Sequence, residues 1–281
     1  MKRLSARSLA ACCALAALAG AGSPSVAGSL PTLEQVVAKN AAARGGKQAW
    51  AKIHSIAFAG HIVSPAAPGR SMPFLLEQKR PARMRFEIMA PGHRSVRIFD
   101  GTHGWKMRPG NGGVPEVQAY TEEELRYVRD AQAIEGPLMA AVARGFSLTL
   151  GGAALIEGRK AYVVSYRPRK DAIHRVWVDA QTFLEVRYER EFRTARDRRA
   201  RATVEFRNYT AFEGLQIPLT IEPGAAPGRP SDQLVIDRVA LNPRLADNLF
   251  ARPALAAARH KGVVVEARRP PIAPASPAPR R

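Results

Sequence analysis

Cysteine is almost missing from this 281-residue chain: the two present, Cys12 and Cys13, stand side by side near the N-terminus. Everything after them is without disulfide, thiolate metal ligand or cysteine nucleophile, so the core has to hold without cross-links. Aromatics are sparse at 7% of residues, and acidic side chains number 24 against 43 basic ones. The resulting net charge of +19 favours anionic partners such as phospholipid headgroups, lipopolysaccharide or nucleic acid. Short motifs of common chemistry are missing too: there is no G-x-S-x-G elbow, no phosphate-binding loop, no H-E-x-x-H pair and no zinc-finger or RNP-type motif. The histidines are scattered. His54 and His61, seven apart, would face opposite sides of one strand and cannot share a metal. Asp100 and His103 are near neighbours, but in a Gly-rich turn where Asp serves the backbone. The expectation is therefore a protein that is not an enzyme, with no catalytic set, no metal and no cofactor.

A membrane-spanning run is also lacking. The longest apolar stretch, Leu9 to Gly20, falls short of the roughly 20 residues that hydrocarbon requires. Lys2, Arg3 and Arg7 precede it, no acid occurs before Glu34, and Gly20, Gly22, Pro24 and the small-x-small site Ser25-Val26-Ala27 follow. This is the pattern of a signal peptide over residues 1–27, cut near Ala27. Leu9-Ala10-Ala11-Cys12 matches a lipoprotein cleavage pattern, but its Cys falls inside the apolar run instead of after it, so the match is read as coincidence. Cleavage removes both cysteines and three cations, leaving a net charge of +16. Export to the periplasm also takes nucleic acid out of the expected partners.

What is present beyond the leader is patterned. Thr32 with Gln35 makes a capping box, and Leu33, Val36, Val37 and Ala41 form one apolar stripe at helical spacing. Gly45-Gly46 ends that helix, and Lys47 to Ile53 predicts a second short one that turns Trp50 and Ile53 to the core together. From residue 54 the period changes to alternation. Residues 56–62, 74–79, 84–88 and 96–99 read as antiparallel strands with one apolar and one wet face. Thr121 and Glu124 make a second capping box before a helix, and Gly136-Pro137 breaks it and opens another. Strands then resume through residues 146–150, 160–167, 173–178, 183–192, 203–209, 219–221 and 234–241, with 194–201 a polar hairpin loop. The fold class expected is mainly β with helices (α+β): a curled antiparallel sheet of about ten strands, since sheets that long tend to curl, with helices on one face. The domain would cover residues 28–253, and the Pro- and Arg-rich residues 254–281 would be a disordered tail.

The order of short motifs resembles the LolA-like outer-membrane lipoprotein-sorting proteins. The run is a helix, Ala43-Arg44-Gly45-Gly46, Trp50, Ile53 and a strand ending at Gly60. Then come Phe99-Asp100-Gly101-Thr102-His103-Gly104-Trp105, Glu122-Glu123-Glu124-Leu125 and Glu135-Gly136-Pro137-Leu138. Val178-Asp179-Ala180-Gln181-Thr182, Asn208-Tyr209, Gly214 and Ile217-Pro218 complete it, so the resemblance spans about residues 31–253. It implies a half-barrel whose concave face is covered by helices, and a periplasmic protein that carries lipoprotein acyl chains, or other lipid, non-covalently between sheet and helices.

On that reading the lid residues are Leu125, Val128, Leu138 and Met139. The floor is Phe58, Ile62, Phe74, Leu76, Met84, Phe86 and Ile88. Trp105 is either a ligand-facing aromatic or ordinary core at the sheet edge. The bland alternative is that these side chains fill the space themselves. A second reading makes the chain an envelope sensor or adaptor that meets a protein, lipopolysaccharide or an anionic membrane through a basic surface of Arg190, Arg193, Arg196, Arg198, Arg199 and Arg201. Against it, Glu189, Glu191 and Asp197 interleave with those arginines, as in any solvated hairpin.

Overall fold

Alternating apolar and polar residues can bury one side of an extended chain only if strands lie next to one another, and here thirteen strands do so in one antiparallel sheet. The computed structural model describes residues 30–90, 93–110, 114–131, 133–194, 198–224 and 231–254. The expected signal peptide, Arg196 and, from residue 255, the expected tail lie outside the described residues. The described residues from Pro31 onward form one unit.

Two helices come first, α1 (Leu33–Ala43) and α2 (Lys47–Ala51), then six strands: β1 (Ser55–Val63), β2 (Ser71–Lys79), β3 (Arg83–Ala90), β4 (His93–Phe99), β5 (Gly104–Pro109) and β6 (Pro115–Ala119). After α3 (Glu122–Ala131) and α4 (Pro137–Ala143), seven more strands follow. They are β7 (Leu148–Ile156), β8 (Arg159–Arg169), β9 (Ala172–Asp179), β10 (Glu185–Arg193), β11 (Arg199–Phe212), β12 (Leu215–Pro223) and β13 (Gln233–Leu241). The spatial order is β6-β5-β4-β3-β2-β1-β13-β12-β11-β10-β9-β8-β7. Two meanders are therefore joined where β13 returns to lie beside β1. The edges are β6 and β7, which do not pair, so the sheet curls without closing. The chain passes from one edge to the other through α3 and α4.

The sheet exceeds the expected ten or so strands mainly because of β5 and β6. Trp105 and Met107 are the only large apolar residues of β5, and β6 reads Pro-Glu-Val-Gln-Ala, too polar to register as a strand. Pairing with β4 defines β5, and pairing with β5 defines β6. Arg199 and Arg201, expected in a loop, begin β11. The helix expected over 47–53 stops at Ala51, yet Trp50 and Ile53 do share one core cluster. Both capping boxes form: the Gln35 amide donates to Thr32 Oγ1 at 3.3 Å and the Glu124 amide to Thr121 Oγ1 at 3.2 Å, each answered by the reciprocal bond.

Register assigns the faces. Phe58 pairs with Leu76, Leu76 with Phe86 and Met84 with Phe99, so these side chains point the same way, into the concave face. On the second meander Ile221, Phe206, Val204 and Tyr188 continue that face. Helices α1, α2 and α4 pack on it through Val36, Trp50, Leu138 and Met139, and α3 through Val128. The opposite face is largely a lattice of cross-strand charges. Arg175 donates to Glu189 at 2.8 Å, and Arg201 lies 3.4 Å from the same carboxylate. Near β4 and β5 this outer face instead carries an apolar patch of Val96, Ile98 and Met107, covered by Leu245 and Phe250 from the chain after β13.

Candidate ligand-binding cavity

Between the concave face and the helices the packing is incomplete. An inner chamber of about 210 Å³ lies under α4, with Phe58, Leu76, Phe206 and Ile221 below and Ile134, Pro137 and Ala140 above. An outer chamber of about 870 Å³ lies under α3, lined by Met84, Phe86, Tyr120, Val128, Phe192 and Leu234 among others. Leu76, Gln78, Val204 and Ile221 belong to both walls, so the two adjoin.

Of the residues expected at the site, Phe58, Leu76, Met84, Phe86 and Val128 line these chambers. Ile62, Phe74 and Ile88 share the floor's face but pack within the core cluster. Leu125 rests against Met84, Phe99 and Tyr120. Leu138 and Met139 are buried among core side chains and seat α4 on the sheet. Trp105 does not join them: odd and even positions of β5 face opposite ways, and Trp105 lies on the outer face against Val96, Ile98 and Met107.

Arg190 departs most from expectation. Assigned to a basic surface, it is 3% exposed and on the concave face, because β10 pairs Tyr188 with Val204 and Arg190 with Ala202. Its guanidinium stacks on the Tyr127 ring at 3.8 Å and donates to the Tyr127 carbonyl at 2.9 Å, which ties α3 down between the two chambers. Arg193, Arg198, Arg199 and Arg201 are exposed, with Arg199 and Arg201 beside Glu191 and Glu189.

Two motifs set the inner chamber's end. Arg44, at the end of α1, donates to Glu185 in a buried ion pair (4% and 0% exposed). The other Glu185 oxygen accepts the Leu138 amide at 3.0 Å, holding the start of α4. Burial pushes the Glu185 carboxyl up from its ordinary value, opposed by Arg44 and the Leu138 amide. Gly136 carries φ +92°, and a Cβ there would meet Glu185 Oε2 at 2.8 Å and Arg44 Nη1 at 2.9 Å, so only glycine fits. Burial likewise pushes up the Tyr209 phenol, which donates to the Glu185 carbonyl at 2.9 Å. Arg80 ties the β2–β3 turn to the segment before α4, donating to the Ile53 carbonyl at 2.9 Å and to Glu135 at 2.8 Å.

Deeper on the floor, His174 Nδ1 lies 2.8 Å from the Tyr188 hydroxyl and 3.2 Å from that of Tyr166. Burial, then the charges of Arg190, Arg169 and Arg144, push the imidazole down to about 3, so it stays neutral. The Asp100 carboxylate accepts the Thr102 and His103 amides at 2.7 and 2.6 Å; it builds the turn. Asp179 does the same for Gln181 and Thr182. Among the described residues no group of His, Cys, Asp or Glu has a metal-binding arrangement, and no helix is long and apolar enough to cross a membrane.

Arg44, Arg190, Tyr188 and Phe206 escaped the sequence reading as cavity residues. Alternation places Tyr188, Arg190 and Phe192 on one face of β10, but nothing in it says that this face is concave.

No protein-family model matches the chain, and no curated protein matches it in sequence. Among solved structures it is similar to a DUF1329 family protein from Desulfovibrio piger, at 12% identity and TM-score 0.51, over 79% of this chain and 98% of that one. It is also similar to a LolA superfamily protein from Nitrosomonas europaea, at 16% identity and TM-score 0.48, again over 79% and 98%. A third is a Vibrio parahaemolyticus domain assigned to outer membrane lipoprotein sorting, at 11% identity and TM-score 0.49, over 77% and 94%. At such identities the likeness is one of fold, carried by the first of the three. The other two bear the lipoprotein-sorting names that the sequence motifs resemble, both at low identity.

Proposed function

We propose that this protein is an exported, periplasmic binding protein or carrier for acyl chains, of lipoproteins or of other lipids, held non-covalently between sheet and helices. The observation that carries this reading is the pair of adjoining apolar chambers under α4 and α3. Each methylene taken from water contributes about 0.8 kcal/mol, so even one chain supplies ample binding energy without a covalent step. The protein would act by binding, not by catalysis.

Release asks for a lid that opens. Helix α4 is buried from Pro137 to Ala141, whereas α3 is held chiefly by Arg190 on Tyr127, Lys106 with Glu124 at 2.8 Å, and Arg129 on the Thr102 carbonyl at 3.2 Å. We therefore assign the opening element to α3. The adaptor reading loses Arg190 to the interior and finds Arg199 and Arg201 beside carboxylates, so it becomes an outcome of the test.

The test is lipid mass spectrometry of protein purified without detergent, together with uptake of a fluorescent fatty acid. Co-purified acyl lipid near one per chain, or saturable uptake, supports the carrier. Empty protein that takes up no fatty acid overturns it. Envelope-protein binding lost on charge reversal of Arg198 and Arg199 would then favour the adaptor.

A further inference from the structure

Arginine is costly to bury without partners, and the inner chamber holds two arginines whose hydrogen-bonding is incomplete. Arg190 and Arg44 are 3% and 4% exposed, both line the chamber, and among the described residues the Nε of each has no hydrogen-bond partner. A buried donor left without a partner is destabilising, and more so when it is charged. Arg44 is compensated in charge by Glu185. Among the described residues Arg190 has no carboxylate partner: it touches the Tyr127 ring and carbonyl, with the Tyr188 ring at 5.7 Å. Arg144 adds a third cation to the same wall. Of the two buried arginines, then, only Arg44 is paired with an acid among the described residues. The outer chamber is balanced, with Arg97 and Lys106 against Glu123 and Glu124.

We propose that the inner chamber is a subsite for a compact oxyanion, the carboxylate or phosphate head of a single-chain amphiphile, with Arg190 as its principal ligand and the acyl chain extending into the outer chamber. The proposal rests on the acyl-binding reading and adds polarity to it: the head lies inward at the junction and the tail lies beneath α3. The neighbouring groups agree. Tyr188 and Tyr166 line the same wall, and the adjacent His174 is held neutral in part by the charges of Arg190 and Arg144. A guanidinium pairs with a carboxylate or phosphate through two parallel N–H bonds, and it is Nε that Arg190 keeps uncommitted. Because the other end of the same guanidinium holds the Tyr127 carbonyl, an anion arriving at Arg190 competes for the bond that pins α3.

The experiment compares dodecanoate with dodecanol by titration calorimetry on the full chain at about pH 8, where the acid is ionised. Dodecyl phosphate and inorganic phosphate are run beside them, with wild type, Arg190→Leu and Arg190→Lys. The expected result is a preference of about tenfold or more for dodecanoate over dodecanol, the range of a charge-assisted hydrogen bond. Dodecyl phosphate should share that preference, Arg190→Leu should abolish it, and Arg190→Lys should retain part of it. Equal binding of acid and alcohol by wild type overturns the subsite while leaving the acyl-binding reading intact, whereas binding of neither overturns both. Inorganic phosphate binding as tightly as dodecyl phosphate shows a free-anion site and overturns the amphiphile assignment. A preference that survives Arg190→Leu overturns Arg190 as the ligand. Should that variant fail to fold by circular dichroism, the wild-type pair and Arg190→Lys decide the matter.

Discussion

Gly104 has no room for a methyl group, since a Cβ there would sit 1.9 Å from the Tyr120 ring. Tyr120 packs with Met84, Phe99 and Val128 under the outer chamber, so the strain would enter the cavity wall. Gly104→Ala should cost about 1–3 kcal/mol, as overpacking does, measured by urea denaturation, and should weaken acyl binding. The Arg44–Glu185 pair poses a different problem, an ion pair with no access to water. Arg44→Leu leaves the Glu185 charge uncompensated, and a loss of about 3–5 kcal/mol is expected. Replacing both, Arg44→Leu with Glu185→Leu, should recover much of it; equal losses in the single and double variants would count against this account. His174 makes stability depend on pH. Its folded pKa of about 3 lies below the unfolded value near 6.5, so the unfolded chain binds the extra proton in that window. Stability is full above about pH 6.5 and falls as pH drops toward 3, by about 2 kcal/mol at pH 5. His174→Gln should flatten that part of the profile of melting temperature against pH.

At the scale of elements, α3 and α4 share one connection between sheet edges but differ in how they are held. Pro137 to Ala141 are all buried, whereas α3 is an amphipathic helix with Glu122, Glu123 and Arg126 exposed. Amides of α3 should exchange with deuterium well before those of α4 or of β1 and β2, since elements with little buried apolar contact open locally. Thr121→Ala removes the cap and should destabilise α3 by about 1 kcal/mol, speeding its exchange with little change in global melting. Equal protection of the two helices would remove α3 as the opening element. Both helices were legible in the sequence because their signals are local: Thr121 with Glu124 at one start, Gly136-Pro137 at the other. Their unequal anchoring was not, because it depends on Glu185 and Arg190 of β10, 47 and 63 residues beyond the groups they hold.

For the molecule as a whole, the decisive joint is β1 with β13. Phe58 meets Val239 and Ile56 meets Leu241 across it, and without that ladder each meander would keep an open edge. Val239→Asp buries a charge at this joint and should unfold both halves together. The check is far- and near-ultraviolet circular dichroism, which should lose their signals in one transition; two separate transitions would show the meanders to be independent. Long-range pairing of this kind also makes folding slow relative to helical proteins.

The sequence alone determined what depends on neighbours along the chain: the two capping boxes, the Asp100 and Asp179 turns, the helix ended by Gly45-Gly46, and the alternation that put Phe58, Leu76, Met84 and Phe86 on one face. Strands β5 and β6 escaped it because their few apolar residues face the outer side and their pairing partners, not their composition, make them strands. Only the tertiary structure decided that the face of β10 carrying Arg190 is the concave one, that Trp105 belongs to the other, and that Arg44 reaches Glu185. The physical reason is that a period of two separates faces without saying which is inward; curvature, and the return of β13 to β1, settle that between residues far apart in sequence.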